Sequence, residues 1–91
     1  PIEEAPSISG LLKKKRDGEP KAPVYRRLDV AANTYNTWES GMYVPGDEYA
    51  EALADYLDLE LQEVVWLLYL DRVKHAKGVY LSSLSRLAPA A

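Results

Sequence analysis

Apolar residues recur at helical spacing along most of this chain, broken by short polar stretches. After Ser7, the residues Ile8, Leu11 and Leu12, with the stem of Lys15, fall on one side of a helix. Ser7 suits the N-cap, because its hydroxyl accepts from the free amides of a first turn. Gly18 supplies the left-handed conformation on which a helix often stops. Proline is tolerated only in a first turn, so Pro20 and Pro23 predict a second helix from about Lys21 to Leu28. Asp29 follows, and Asp accepts the left-handed conformation that a tight interhelical turn requires. A third helix is predicted from about Ala32 to Ser40, with Val30, Tyr35 and Trp38 inward and Gly41 as its stop. Residues 42–46 read as a loop. Asp47 then opens a fourth helix, its acidic first turn favoured by the helix dipole, with Tyr49, Ala50, Leu53, Ala54 and Leu57 as the apolar stripe. Asp58-Leu59 is a short break. A fifth helix is expected from Glu60 to about His75 with a stop at Gly78. A short last helix is expected over Val79 to Leu87, with Tyr80, Leu81, Leu84 and Leu87 on one side. No segment reads as a clear strand, so the pattern predicts an all-α fold.

Composition narrows this picture. The 91 residues suffice for one compact domain, and 47% hydrophobic content supports a folded rather than a disordered chain. Cysteine is absent, which excludes disulfides and thiolate-ligated zinc. The N-terminal Pro1-Ile2-Glu3-Glu4 is acidic and lacks the apolar run of a signal peptide. The longest apolar run, Val64 to Leu70, is far shorter than the ~20 residues of a membrane helix. These features lead us to expect a soluble, cytoplasmic protein with no membrane partner.

Charge is distributed unevenly. Lys13, Lys14, Lys15, Arg16, Lys21, Arg26 and Arg27 outweigh Asp17, Glu19 and Asp29, so residues 10–30 net +4. Residues 31–63 hold Glu39, Asp47, Glu48, Glu51, Asp55, Asp58, Glu60 and Glu63 with no Lys or Arg, a net of −8. The predicted third helix is nearly uncharged and carries Asn33, Thr34, Asn36, Thr37 and Ser40. These are poor helix formers, so something other than helix propensity selects them. His75 is the single histidine and has no metal-ligand spacing around it. Acid pairs such as Asp47/Glu51 and Asp55/Asp58 read as solvated helix faces. No nucleophile–base set or phosphate-cradling glycine loop is visible. An enzyme, a metal, a cofactor and a small-molecule ligand are all unexpected.

The stretch Tyr25 to Gly41, ending Trp38-Glu39-Ser40-Gly41, resembles the phage-repressor (Xre/Cro) helix-turn-helix family, whose recognition helix ends in Trp-Glu-x-Gly. The following Val44-Pro45, then Leu53-Ala54-Asp55-Tyr56-Leu57-Asp58-Leu59, resembles the next part of the family pattern. Ser7-Ile8-Ser9 followed by Lys13-Lys14-Lys15-Arg16 also looks like the first helix of lambdoid repressors. The resemblance covers about residues 7–70. It implies a five-helix lambda-repressor-like domain, here with a C-terminal helical extension over 71–91. It also implies that helix 32–40 enters the major groove of operator DNA. Asn33 is the best base reader, since a carboxamide donates and accepts together on adenine's edge. Thr37 follows one turn later, with Thr34 and Asn36 beside them. Ala32 stands where the lambdoid repressors often place a glutamine and offers only an apolar contact. Phosphate contacts are expected from Arg16, Lys21, Ser40 and Tyr43. Arg16 and Glu39 match a position pair that forms an internal salt bridge in some members.

The expected function is therefore a sequence-specific transcriptional regulator, most simply a repressor of phage, prophage or bacterial type. Two alternatives stay open: a protein-interaction module on the same fold, such as an antitoxin or anti-repressor, and a phage recombination accessory factor. The fifth helix is apolar nearly all round and must be covered on several sides. Either the tail helix folds back on it or a second copy of the chain does. We expect a homodimer, with Trp66, Tyr69, Leu70, Tyr80, Leu81 and Leu84 as the candidate contact residues.

Overall fold

A computed structural model describes residues 6–87, with side chains through residue 84. The sequence readings made on Pro1–Glu4, on the Leu87 side chain and on residues 88–91 lie outside the described residues. The protein is all-α: α1 (Ile8–Arg16), α2 (Ala22–Arg27), α3 (Ala32–Ser40), a 3-10 turn (Asp47–Tyr49), α4 (Ala50–Leu57) and α5 (Leu61–Leu87). No strand occurs among the described residues.

The local signals explain most boundaries. Ser7 Oγ accepts from the Gly10 amide at 3.0 Å and starts α1. The stop comes one residue earlier than Gly18. Asp17 takes the left-handed conformation (φ 46°) and Gly18 repeats it. Asp29 is left-handed as expected (φ 58°), which folds the chain sharply between α2 and α3. Asp58 does the same at the end of α4. Each Asp can support this conformation through its short polar side chain, where a larger residue would be strained. Gly41 (φ 80°) ends α3.

Two sequence readings need correction. The fourth helix does not begin at Asp47: residues 47–49 form a 3-10 turn and α4 starts at Ala50. Gly78 does not stop the fifth helix, and no separate tail helix covers Val79 to Leu87. α5 is one continuous helix of 27 residues, about 40 Å long at 1.5 Å per residue. A single helical glycine costs only about 1 kcal/mol relative to alanine and does not by itself force a stop. The tail therefore cannot fold back onto the fifth helix, being part of it.

The core is a single cluster. Ile8 and Leu12 of α1, Val24 of α2 and Leu28 at its C-cap, Tyr35 and Trp38 of α3, Leu53 and Tyr56 of α4, and Val64 and Leu68 of α5 are all buried together. Tyr25 and Val30 pack half-buried at its edge. The Trp38 ring meets Tyr49 edge-on, with centroids 4.8 Å apart. Burying Leu12, Tyr35, Leu53, Val64 and Leu68 removes five large side chains wholly from water. Each contributes about 1.5–3 kcal/mol, which is what holds such short helices together. The Ile8 amide donates to Asp71 Oδ2 at 2.8 Å, so α5 also caps the start of α1. The molecule is elongated, 51 × 26 × 23 Å, because the end of α5 runs out past this cluster.

Candidate nucleic-acid interface

α3 is held from beneath by Tyr35 and, one helical turn later, by the adjacent Trp38 and Glu39. Tyr35, Trp38 and Glu39 are buried, while Asn33, Asn36 and Ser40 are exposed and Ala32, Thr34 and Thr37 are half-buried. Apolar positions at 35 and 38 therefore fix which face looks outward. That face is polar, uncharged and built from short side chains.

Glu39 is the one buried charge of the described core. Its carboxylate accepts from Arg16 Nε at 3.0 Å and from Arg16 Nη2, a paired contact that fastens α1 to α3. The Arg16 hydrogen bonds hold the Glu39 carboxyl below its ordinary pKa, against the opposing effect of burial. The same bonds raise the Arg16 pKa. Burial pushes the Tyr35 hydroxyl well above its ordinary pKa, and the nearby Glu39 charge adds to this. The Tyr35 hydroxyl is buried without a hydrogen bond of good geometry. Arg16 Nη1 donates to the Glu19 carbonyl at 2.6 Å. That leaves one N–H on each terminal nitrogen for any outside acceptor.

The other candidate residues divide by what their side chains already bond. Asn33 is exposed and its side chain makes no hydrogen bond within the described residues, which leaves both the donor and the acceptor of its amide for an outside partner. Asn36 Oδ1 accepts from Lys21 Nζ at 3.2 Å, keeping its amide hydrogens available. Thr37 Oγ1 donates to the Thr34 carbonyl at 2.7 Å, and Ser40 Oγ donates to the Thr37 carbonyl at 3.1 Å. Ser40 Oγ also accepts from the Met42 amide at 3.3 Å. Both hydroxyl protons are thus turned back into the helix. A phosphate accepts only, so either hydroxyl would have to leave its carbonyl to reach one. The Tyr43 side chain is exposed, and its amide donates to the Thr37 carbonyl at 3.3 Å.

Lys13, Lys21, Asn36, Glu39 and Ser40 line one shallow hollow beside α3. Lys13 was not singled out from the sequence as a phosphate contact. Its signal was its place one turn before Arg16 on α1, on the helix that Arg16 ties to α3. The first turn of α3 is open: its N-cap is Ala31, which has no side-chain oxygen to offer. Asn33 and Thr34 therefore do not cap it. No group of acidic or histidine side chains among the described residues could hold a metal ion. No described helix is long and apolar enough to cross a membrane. Comparisons with models of known protein families, with curated proteins and with solved structures find no match to this chain.

Proposed function

We propose that this chain is a sequence-specific DNA-binding regulator of the phage-repressor helix-turn-helix kind, with α3 lying in the major groove. The observation that carries the reading is Asn33. It sits in the first turn of a helix whose opposite face is locked into the core, and it is exposed with neither end of its amide bonded within the described residues. A carboxamide so placed can make the paired donor–acceptor contact to adenine. Asn36 extends the same face, Thr37 and Thr34 add methyl groups, and Ala32 adds an apolar contact at the helix start. Lys21 and Lys13 flank that face with positive charge to meet phosphate, and Arg16, Tyr43 and Ser40 lie around it. The Arg16–Glu39 pair makes the presentation rigid, because α3 cannot tilt without breaking a buried ion pair.

A second reading draws on a specific observation. Asp47, Glu48, Glu51, Asp55, Asp58, Glu60 and Glu63 are all exposed. Such an acidic surface fits a basic protein partner, as in an interaction module built on the same fold. Selection of bound sites from random duplex DNA separates the two. The DNA reading expects an enriched motif containing adenine, and loss of preference at one position in Asn33→Ala. Recovery of unenriched sequence from a folded protein would reject it.

A further inference from the structure

The inner row of α5 changes character along its length. Val64, Leu68, Asp71, His75, Gly78 and Ser82 follow one another at alternating steps of four and three residues, so they share one side of the helix. Val64 and Leu68 are wholly buried in the core. Asp71 marks where the row leaves it: Oδ2 accepts from the Ile8 amide, and Oδ1 lies 3.5 Å from Lys74 Nζ. Beyond Asp71 the row turns polar, and residues 75–82 are exposed all round. The side that meets apolar neighbours over its first half thus offers an imidazole, bare backbone and a hydroxyl over its second. A Cβ built on Gly78 would meet nothing within 4 Å. Glycine weakens a helix relative to alanine, and its missing side chain admits the close approach of another backbone.

Where the row leaves the core it borders a cleft of about 300 Å³, whose lining includes Ser9, Gly41, Tyr43, Lys74 and His75. This cleft adjoins the candidate interface. Ser9 lies one helical turn before Lys13 on α1, and Gly41 directly follows Ser40, while Lys13 and Ser40 line the hollow beside α3. Hollow and cleft are therefore successive along one edge of α3. The cleft is rich in donors. Lys74 brings an ammonium, Ser9 and Tyr43 bring hydroxyls, and the His75 imidazole donates in either protonation state. The one carboxylate is withdrawn: the Asp71 side chain is 10% exposed, and its Oδ1 is buried. Its part is to hold the Lys74 ammonium and the start of α1. Donors around a hollow without an exposed carboxylate fit a phosphodiester, which accepts through several oxygens and has no proton to give. Lys74 and His75 also line a second, open hollow with Gly78, Val79 and Ser82. The donors thus run on as a strip and do not close around one small ion, which fits a polymer backbone.

We propose that this strip of α5 binds the sugar-phosphate backbone of duplex DNA beyond the end of α3. His75 and Lys74 meet one phosphate, and the backbone passes close over Gly78 toward Ser82. The contact rests on the DNA-binding reading of α3 and lengthens its footprint. It adds affinity at base pairs whose identity is not read, because phosphate contacts carry no sequence information.

The test uses the full chain and the duplex recovered by site selection, with neutral methylphosphonates substituted one position at a time. In the wild type, one neutralised position outside the selected motif should weaken binding about fivefold. In His75→Ala the same position should have no further effect, and the slope of log K against log salt should fall by about 1. His75 and Ser82 are exposed, so their variants should melt as the wild type does. Ser82→Glu and Ser83→Glu change the net charge equally at adjacent residues, but only Ser82 lies on the strip. Ser82→Glu should weaken binding about fivefold more than Ser83→Glu, because it sets a carboxylate against phosphate. A wild type that binds no duplex at 50 mM salt would overturn the DNA reading and the strip together. Duplex binding with the same phosphate effects in wild type and His75→Ala would overturn the strip alone. So would equal losses in Ser82→Glu and Ser83→Glu.

Discussion

Two outward faces of this molecule differ in kind, and each is set by how its helix is anchored. α3 is short and turns a polar, uncharged face outward from a base of Tyr35, Trp38 and the Glu39–Arg16 ion pair. α5 is three times as long and anchored only along its first half. Its outer face is aromatic and aliphatic, and its end stands clear of the core. A polar face on a rigid base is suited to reading a polar surface edge by edge. An apolar face on a protruding helix is suited to burial against another helix. Exposure alone would not separate them, because Asn33 and Trp66 are both exposed.

The sharpest contrast lies within α5 itself. Leu68→Ala on the inner face should cost about 3 kcal/mol, because a fully buried leucine leaves a cavity. That corresponds to a fall of roughly 12–24 °C in Tm for a domain of this size, read by thermal melting. Tyr80→Ala on the outer face should leave the melting of the dilute monomer within about 0.5 kcal/mol of wild type. Similar losses in both variants would erase the distinction between an inner and an outer face.

On α3 the largest effect should fall on binding. Asn33→Ala should weaken binding to the selected site about 10- to 100-fold, the value of one bidentate base contact. Binding to unrelated duplex should stay unchanged, as measured by fluorescence anisotropy. Equal weakening on both DNAs would make Asn33 a general contact and not a reader.

The base beneath α3 can be tested by pH. Glu39 has a lowered pKa in the fold, so the folded state holds fewer protons than the unfolded chain. Its contribution is therefore complete above the ordinary carboxylate range. It fades as pH falls below about 4.5 and is gone once the lowered value is passed. Tyr35 works in the opposite direction. Its raised pKa keeps the hydroxyl protonated in the fold, so stability declines as pH rises above about 10. Glu39→Gln should lower Tm by about 5 °C at pH 7 and flatten the acid limb of the stability curve. An acid limb as steep as wild type would remove Glu39 from this role.

Much of this arrangement is legible in the sequence where the signal is local. Ser7 as a cap, Asp29 in a left-handed turn and Gly41 as a stop depend only on neighbouring residues. The inward set Tyr35 and Trp38 follows from helical spacing, and the Arg16–Glu39 contact from a resemblance. What remained hidden depends on distance or on competition between partners. Asp71 caps α1 across 63 residues, and nothing near Asp71 announces it. Thr37 and Ser40 spend their hydroxyl protons on carbonyls one turn back, a choice of rotamer that spacing cannot specify. Gly78 looked like a stop because glycine often is one. Within α5 it keeps a helical backbone, since one helical glycine costs only about 1 kcal/mol and no proline follows before Pro89. The sequence places Leu70 with the outer face because α5 is apolar nearly all round, yet Leu70 is buried. Only the packing shows which stripe is inside.

A smaller effect should come from the flank. Lys21→Ala should weaken binding to every duplex alike and reduce the slope of log K against log salt by about 1. Lys21 also bonds Asn36, so the variant frees that side chain as well. An unchanged slope would place Lys21 outside the phosphate contacts.

The central claim, that the α3 face with its lysine flanks meets duplex DNA, is tested most directly by titrating the full chain onto a labelled generic duplex at 50 mM and 200 mM salt. The account predicts binding at the lower salt that falls steeply at the higher, because contacts to phosphate release bound cations. Absence of binding at 50 mM salt by a protein that melts cooperatively would contradict it.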